Sequence, residues 1–401
     1  MILTSSPAVL LSTITLFAQF ALGLPTTSEP GHHESARAIG KLSHSDELHG
    51  AGVVWDKVVR GHPFTNRNPA VAGVNYPRIS SADPPFTIPE ENLRAAVYLP
   101  PGFNASTNRQ VVLFVPGTGS YGHEAFASNL LKVITNAGAA DAVWVNVPDA
   151  MLANVQTNAE YIAYAISYVK ALIGEDRDLN VIGWSQGNLA TQWVFTYWPS
   201  TATKVRQLIS VSPDFHGTVL PQSLCGGNIG KVPKAGAPCA PSVLQQEYSS
   251  NLITTLRAAG GGDAYVPTTS FWSSITDEVV QPQAGMTASA RIGDARNKGV
   301  TNVEVQTACP LSPGGGQYGH ATLMTHPLVA AMTLDALKNG GPASLGRIRS
   351  QMFRICQNVV ASGLQLTDRA ATEALLGTAG ARMAAFPTKM LREPAVKNYA
   401  S

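Results

Sequence analysis

A chain of 401 residues, 44% of them apolar, can build one large core or two ordinary ones. Its formal charge of +2 gives no long-range field to gather nucleic acid or an anionic membrane surface. Partners must therefore be chosen by local chemistry.

The opening MILTSSPAVLLSTITLFAQFALG has an apolar stretch from Ala8 to Phe17 and then small Ala21 and Gly23. This is the pattern of a secretory signal over residues 1–23, although no Lys or Arg precedes it; a buried N-terminal helix is the alternative. No other stretch approaches the roughly 20 apolar residues of a membrane span, and the C-terminal REPAVKNYAS is too polar for a lipid-anchor signal. The expected product is secreted, extracellular, without a stable membrane anchor, and monomeric. Residues 24–78 are rich in His, Gly, Ser, Pro and charge and read as a propeptide or flexible extension, with His32, His33, His44 and His49 solvated. The folded domain is expected over 79–401. Within it, Asn104, Ala105 and Ser106 form a glycosylation sequon in a turn-like stretch after PPG.

From residue 95 onward short β-branched runs alternate with helical patterns, the rhythm of a mostly parallel sheet covered on both faces. AAVYLP, QVVLFVP, AVWVNVP, LNVIGW, RQLISVS, TTSFWSS and NVEVQTA are the predicted strands. AEYIAYAISYVKALI places Ile162, Ile166, Val169 and Ile173 at helical spacing, and Trp193 to Trp198 continue a helix after GWSQG. One doubly wound α/β domain follows. Four cysteines, Cys225, Cys239, Cys309 and Cys356, allow three pairings in an oxidising compartment. Cys225 with Cys239 and Cys309 with Cys356 is preferred, since the first would close a Gly/Pro/Lys segment that packing cannot hold, contributing roughly 3 kcal/mol. The competing metal site lacks both a CxxC spacing and a nearby His pair.

GWSQG, between LNVIGW and NLATQWVF, fits the sharp strand-to-helix turn that presents a serine nucleophile clear of a sheet. Ser185 is its centre. The five letters are weak by themselves; the flanking strand and helix carry the reading. A tetrahedral intermediate needs hydrogen-bond donors, which the elbow supplies as the backbone N–H of Gln186 and the earlier loop as Thr118. That loop also spells GxGxxG with Gly117, Gly119 and Gly122, and Asp149 could mimic a ribose acid, so a dinucleotide site is a rival. Pro116 abutting the first glycine and the independent serine elbow weigh against it.

In the hydrolase order of serine, acid and histidine, two acids are available. Asp277 in ITDEVVQPQ is preferred; Asp214 in SPDFHG reads as a group beneath the pocket, and Glu278 as solvated. Only His320 and His326 follow Asp277 in the chain. His320, in the glycine-rich loop GGGQYGHAT, is the expected base, His326 is expected to pack within the following helix, and His216 is a minor candidate. The chemistry implied is acyl transfer through a Ser185, His320 and Asp277 triad, with no metal or cofactor.

With these positions in place, the pattern resembles the family of the fungal lipase known as Candida antarctica lipase B over roughly residues 80–400. The resemblance is carried by VPGTG at 115–119, NVQTNAEY at 154–161, WSQG at 184–187, PDFHGTVL at 213–220, PSVLQQ at 241–246, TDEVVQPQ at 276–283 and GHA at 319–321. It implies an α/β-hydrolase fold with Ser185, Asp277 and His320 as triad and Thr118 and Gln186 as oxyanion hole. It further implies Trp184, Asp214 and Gln246 around the pocket, Trp184 bounding the alcohol group. The implied activity is hydrolysis of acylglycerols and simpler esters, with a lipid–water interface as a possible partner. Gly183 stands where the family has Thr, two family cysteine pairs have no counterpart, and Cys309 with Cys356 matches one that does. The 221–239 segment is longer than the family's lid region. A short-chain esterase, an acyltransferase and a non-catalytic binding protein of the same fold are the alternatives.

Overall fold

The computed structural model describes residues 66–225 and 237–401. The signal reading at 1–23, the extension reading as far as 65 and the centre of the 221–239 segment lie outside the described residues. Each of the seven runs contributes to a strand, although the VQTA half of NVEVQTA turns helical at Val305–Ala308: β1 (Val97–Tyr98), β2 (Val111–Val115), β3 (Asp141–Val145), β4 (Leu179–Trp184), β5 (Gln207–Val211), β6 (Thr268–Trp272) and β7 (Val300–Glu304). They make one sheet in the order β1-β3-β2-β4-β5-β6-β7, with β1 antiparallel to β3 and every other pair parallel. The central strands β2, β4, β5 and β6 are buried at every position, so they lack the alternation of a half-exposed strand.

The helices that bear on the site are α1 (Leu130–Asn136), α2 (Val155–Ile173), α3 (Gln186–Tyr197), α4 (Leu220–Leu224), α5 (Pro241–Gln245), α6 (Pro327–Asn339) and α7 (Leu375–Ala385). Both faces of the sheet are covered. Leu113 and Val115 of β2 pack with α2 and α3, whereas Val112 and Phe114 pack on the other side with α1 and α6. This is the α/β-hydrolase arrangement, a mostly parallel sheet between helical layers.

α2 starts earlier than its apolar pattern, because the Asn154 side chain accepts the Gln156 N–H and caps it. It is buried around nearly its whole circumference. Its outer side is covered by chain: Tyr168 donates to Pro69 O at 2.9 Å, and the buried Glu160 carboxylate receives Thr87 N–H and Lys397 Nζ. Residues 66–78 thus lie against the domain, Asn68 Nδ2 donating to Arg94 O and Val97 O. The packed unit therefore begins before residue 79. Both disulfides form in the expected pairing, and Cys225–Cys239 joins the end of α4 to the approach of α5.

Candidate active site

Ser185 stands between β4 and α3 at φ 53° and ψ −132°, a left-handed conformation that a side chain rarely adopts. Two glycines make that turn sterically accessible. A Cβ on Gly187 would lie 2.5 Å from Val115 O, and one on Gly183 would lie 2.2 Å from Asn188 Oδ1. At Gly187 the helix can therefore close on the β2 backbone only around a missing side chain, whereas at Gly183 the contact is with the movable end of the Asn188 side chain. Ser185 faces a mostly apolar cavity with Thr118, Trp184, Gln246 and His320, walled by Leu220 and Leu224 of α4 and by Leu376 and Met383 of α7.

Asp277 and His320 meet from separate loops. His320 Nδ1 lies 3.1 and 3.0 Å from the two Asp277 carboxylate oxygens, and both residues are buried. Asp277 Oδ1 also accepts the N–H groups of Val279 and Val280 at 3.0 and 2.8 Å. These donors fix the carboxylate and with it the imidazole tautomer, Nδ1 carrying the proton and Nε2 left as acceptor. Nε2 is buried in the same cavity as Ser185 and has no hydrogen-bond partner among the described residues. The backbone of His320 is held as well. Trp184 Nε1 and Ser212 Oγ donate to its carbonyl at 3.1 and 2.9 Å, and its N–H donates to Glu278 Oε2 at 2.9 Å.

Burial works to lower the His320 pKa, but the charge and hydrogen bond of Asp277 and the charges of Glu278 and Asp214 outweigh it, leaving a net rise. Glu278 is not the solvated group of the sequence reading. It turns inward onto the His320 backbone, and burial and the adjacent Asp277 raise its own pKa.

Thr118 lines the cavity, with its hydroxyl donating to Gln246 Oε1 at 3.0 Å and accepting from Gln186 Nε2 at 2.8 Å. Gln186 opens α3, so its own N–H has no acceptor within the helix. Asn158 of α2 donates to Gln186 Oε1 at 3.0 Å. Asn158 lies within NVQTNAEY, yet nothing in the sequence marks this residue for a role. Asp214 is fully buried, and neither carboxylate oxygen has a hydrogen-bond partner among the other described residues. Desolvation pushes it up to about 7, with its own backbone N–H and then His320 pulling down and Asp277 pushing further up.

The remaining candidates lie elsewhere. His216 Nε2 meets Arg291 O at 3.0 Å beside a separate open cavity of about 550 Å³. His326 does not sit within a helix but caps one: Pro327 begins α6, and His326 Nδ1 accepts the Leu328 N–H while Nε2 meets Gly314 O. The residue before a proline is disfavoured in helical conformation, which sets that boundary. Desolvation lowers its pKa to about 4. In the GTGSYG loop the three glycines press on Ser185, Ala379 and Trp144, so protein fills the space beside them. No group of three or more His, Cys, Asp or Glu side chains able to hold a metal occurs among the described residues.

The strained serine between parallel strand and helix, with a carboxylate-bound imidazole in the same cavity, belongs to the serine hydrolases of the α/β-hydrolase fold. Comparison narrows the class. The chain is 35% identical over 324 residues to lipase B of Pseudozyma antarctica, spanning 80% of this chain and 87% of that protein. The crystal structure of Aspergillus fumigatus lipase B is 38% identical, with a TM-score of 0.79 over 88% of this chain and 82% of that one. No family model matches the sequence. The chain belongs to the lipase B family.

Proposed function

We propose that this protein is a secreted carboxylic ester hydrolase that cleaves acylglycerols and related esters through an acyl-enzyme on Ser185. The observation that carries the reading is the meeting of the Asp277-bound His320 ring with strained Ser185 in one apolar cavity. His320 Nε2 takes the Ser185 hydroxyl proton as Oγ attacks the ester carbonyl, and Asp277 stabilises the imidazolium that forms. The N–H groups of Thr118 and Gln186 and the Thr118 hydroxyl hold the oxyanion. The imidazolium then gives its proton to the departing alkoxide. Water, deprotonated by His320, attacks the acyl-enzyme and releases the acid and Ser185.

No metal or cofactor enters these steps. Trp184 bounds the alcohol side of the cavity with Gln246 beside it, Asp214 is buried near His320 without lining the cavity, and the apolar walls of α4 and α7 suit an acyl chain. Two disulfides accord with an oxidising destination, and no described helix is long and apolar enough to cross a membrane. Exposed Asn104 offers a surface position for a glycan. We assign the catalytic unit to one domain acting as a monomer. Replacing Ser185 by Ala should lower hydrolysis of a soluble ester by about 10⁶ in kcat with the fold intact; unchanged turnover would refute the nucleophile.

A further inference from the structure

We infer that Asn158 is a positioning residue which, through the Gln186 side chain, keeps the Thr118 hydroxyl proton available to the oxyanion. The inference rests on the proposed oxyanion role of Thr118 and assigns the part played by three amides around it.

The argument is one of hydrogen-bond direction. Asn158 Nδ2 faces the carbonyl oxygens of Met151 and Ala153 at 3.0 and 3.3 Å, and a carbonyl can only accept. The amide nitrogen must therefore lie on that side. The same nitrogen is 3.0 Å from Gln186, so the Gln186 atom facing it must be the oxygen. Gln186 Nε2 then faces Thr118 Oγ1 at 2.8 Å and donates to it. From the far side, Gln246 Nε2 is fixed by Ser242 O at 3.0 Å, which turns Gln246 Oε1 toward Thr118 at 3.0 Å. Backbone carbonyls at both ends thus dictate the orientation of every amide between them.

Thr118 has one hydroxyl proton. Since Gln186 donates to its oxygen, that proton cannot point at Gln186; it rests on Gln246 Oε1 or turns into the cavity. A developing oxyanion is a stronger acceptor than a neutral amide, so rotation about the Cβ–Oγ1 bond can transfer the hydrogen bond to it. If Asn158 ceased to donate, the Gln186 amide could turn over and present Oε1 to Thr118. The proton would then be held on a buried acceptor away from the reacting carbonyl. Asn158 and Gln186 are both buried, which shields the relay from competing water.

The test is a double-mutant cycle with kcat and KM measured on a soluble ester. Thr118→Val keeps the backbone N–H and removes the hydroxyl; it should lower kcat by roughly 10²-fold or more. Asn158→Leu, which frees the Gln186 amide to turn over, should lower kcat by about tenfold with KM little changed, and it should add no loss in the Thr118→Val background. Losses that multiply in the double variant would overturn the relay while leaving the oxyanion reading standing. An unchanged kcat in Thr118→Val alone would remove that reading and the relay with it. If Asn158→Leu does not fold, Asn158→Ser, which leaves room for water at the Met151 and Ala153 carbonyls, takes its place in the same cycle.

Discussion

Two aspartates follow neighbouring parallel strands, Asp214 after β5 and Asp277 after β6, and both are buried near His320. Their surroundings differ in one respect. Asp277 receives Val279 N–H, Val280 N–H and the His320 ring, whereas the Asp214 oxygens receive no hydrogen bond from any other described residue. The local turns explain it: in TDEVV the free N–H groups fold back onto the side chain, while in PDFHG the Gly217 N–H goes to the Asp214 backbone carbonyl at 2.8 Å. A buried carboxylate keeps its charge when donors replace water, and an orphaned one takes up a proton instead. Only Asp277 is equipped to support an imidazolium.

The largest effect that could break this contrast is on turnover. Asp277→Asn should reduce kcat by about 10⁴, because the imidazole loses both its tautomer and its counter-charge. At pH ~6, below its raised pKa, Asp214→Asn should leave kcat within a few-fold, since it replaces a mostly protonated acid by a neutral amide of the same shape. Equal losses in steady-state assays would end the distinction.

Stability against pH comes next. The Asp214 pKa is raised from 3.8 to about 7, so between those values the folded state holds a proton that the unfolded chain has released. Its contribution to stability is intact below pH ~4, falls as pH rises through about 7, and is flat above. Asp214→Asn removes that loss. In denaturant titrations the variant should gain on the parent between pH 4 and pH 8 by on the order of 4 kcal/mol; a constant difference across that range would show that Asp214 is ionised in the fold.

The smallest expected effect concerns Glu278, whose charge adds to that of Asp277 in raising His320. A base must be neutral to act, so the acidic limb of kcat/KM should lie above the ordinary 6.5 of histidine. Glu278→Gln keeps an acceptor for the His320 N–H but removes the charge. Its limb should move to lower pH, with the alkaline plateau within about tenfold of the parent. A limb that stays in place would reduce Glu278 to a backbone clamp.

The fold was legible because buried parallel strands leave unmistakable runs, and β2, β4 and β5 fall within QVVLFVP, LNVIGW and RQLISVS. The turn at Ser185 was legible from Gly187, where the β2 backbone approaches too closely for a Cβ, and from the strand and helix that flank it. What stayed hidden depends on where a side chain turns once the loops are packed. Asp214 and Asp277 look alike in sequence, and nothing in TDEVV says that Glu278 bends onto His320. Asn158 works through an amide from another helix, a contact with no local signature. The docking of residues 66–78 escaped notice because their polar side chains hold on by hydrogen bonds to backbone carbonyls, such as those of Asn68, rather than by an apolar pattern.

The central claim, acyl transfer through Ser185, can be tested by trapping the intermediate. The protein is mixed with a p-nitrophenyl ester whose acyl group hydrolyses slowly, quenched in acid, and digested for peptide mass mapping. A burst of about one p-nitrophenolate per active site, with the acyl mass on the peptide carrying Ser185, is the predicted result. Acylation of another residue, or an undiminished burst from Ser185→Ala, would contradict it.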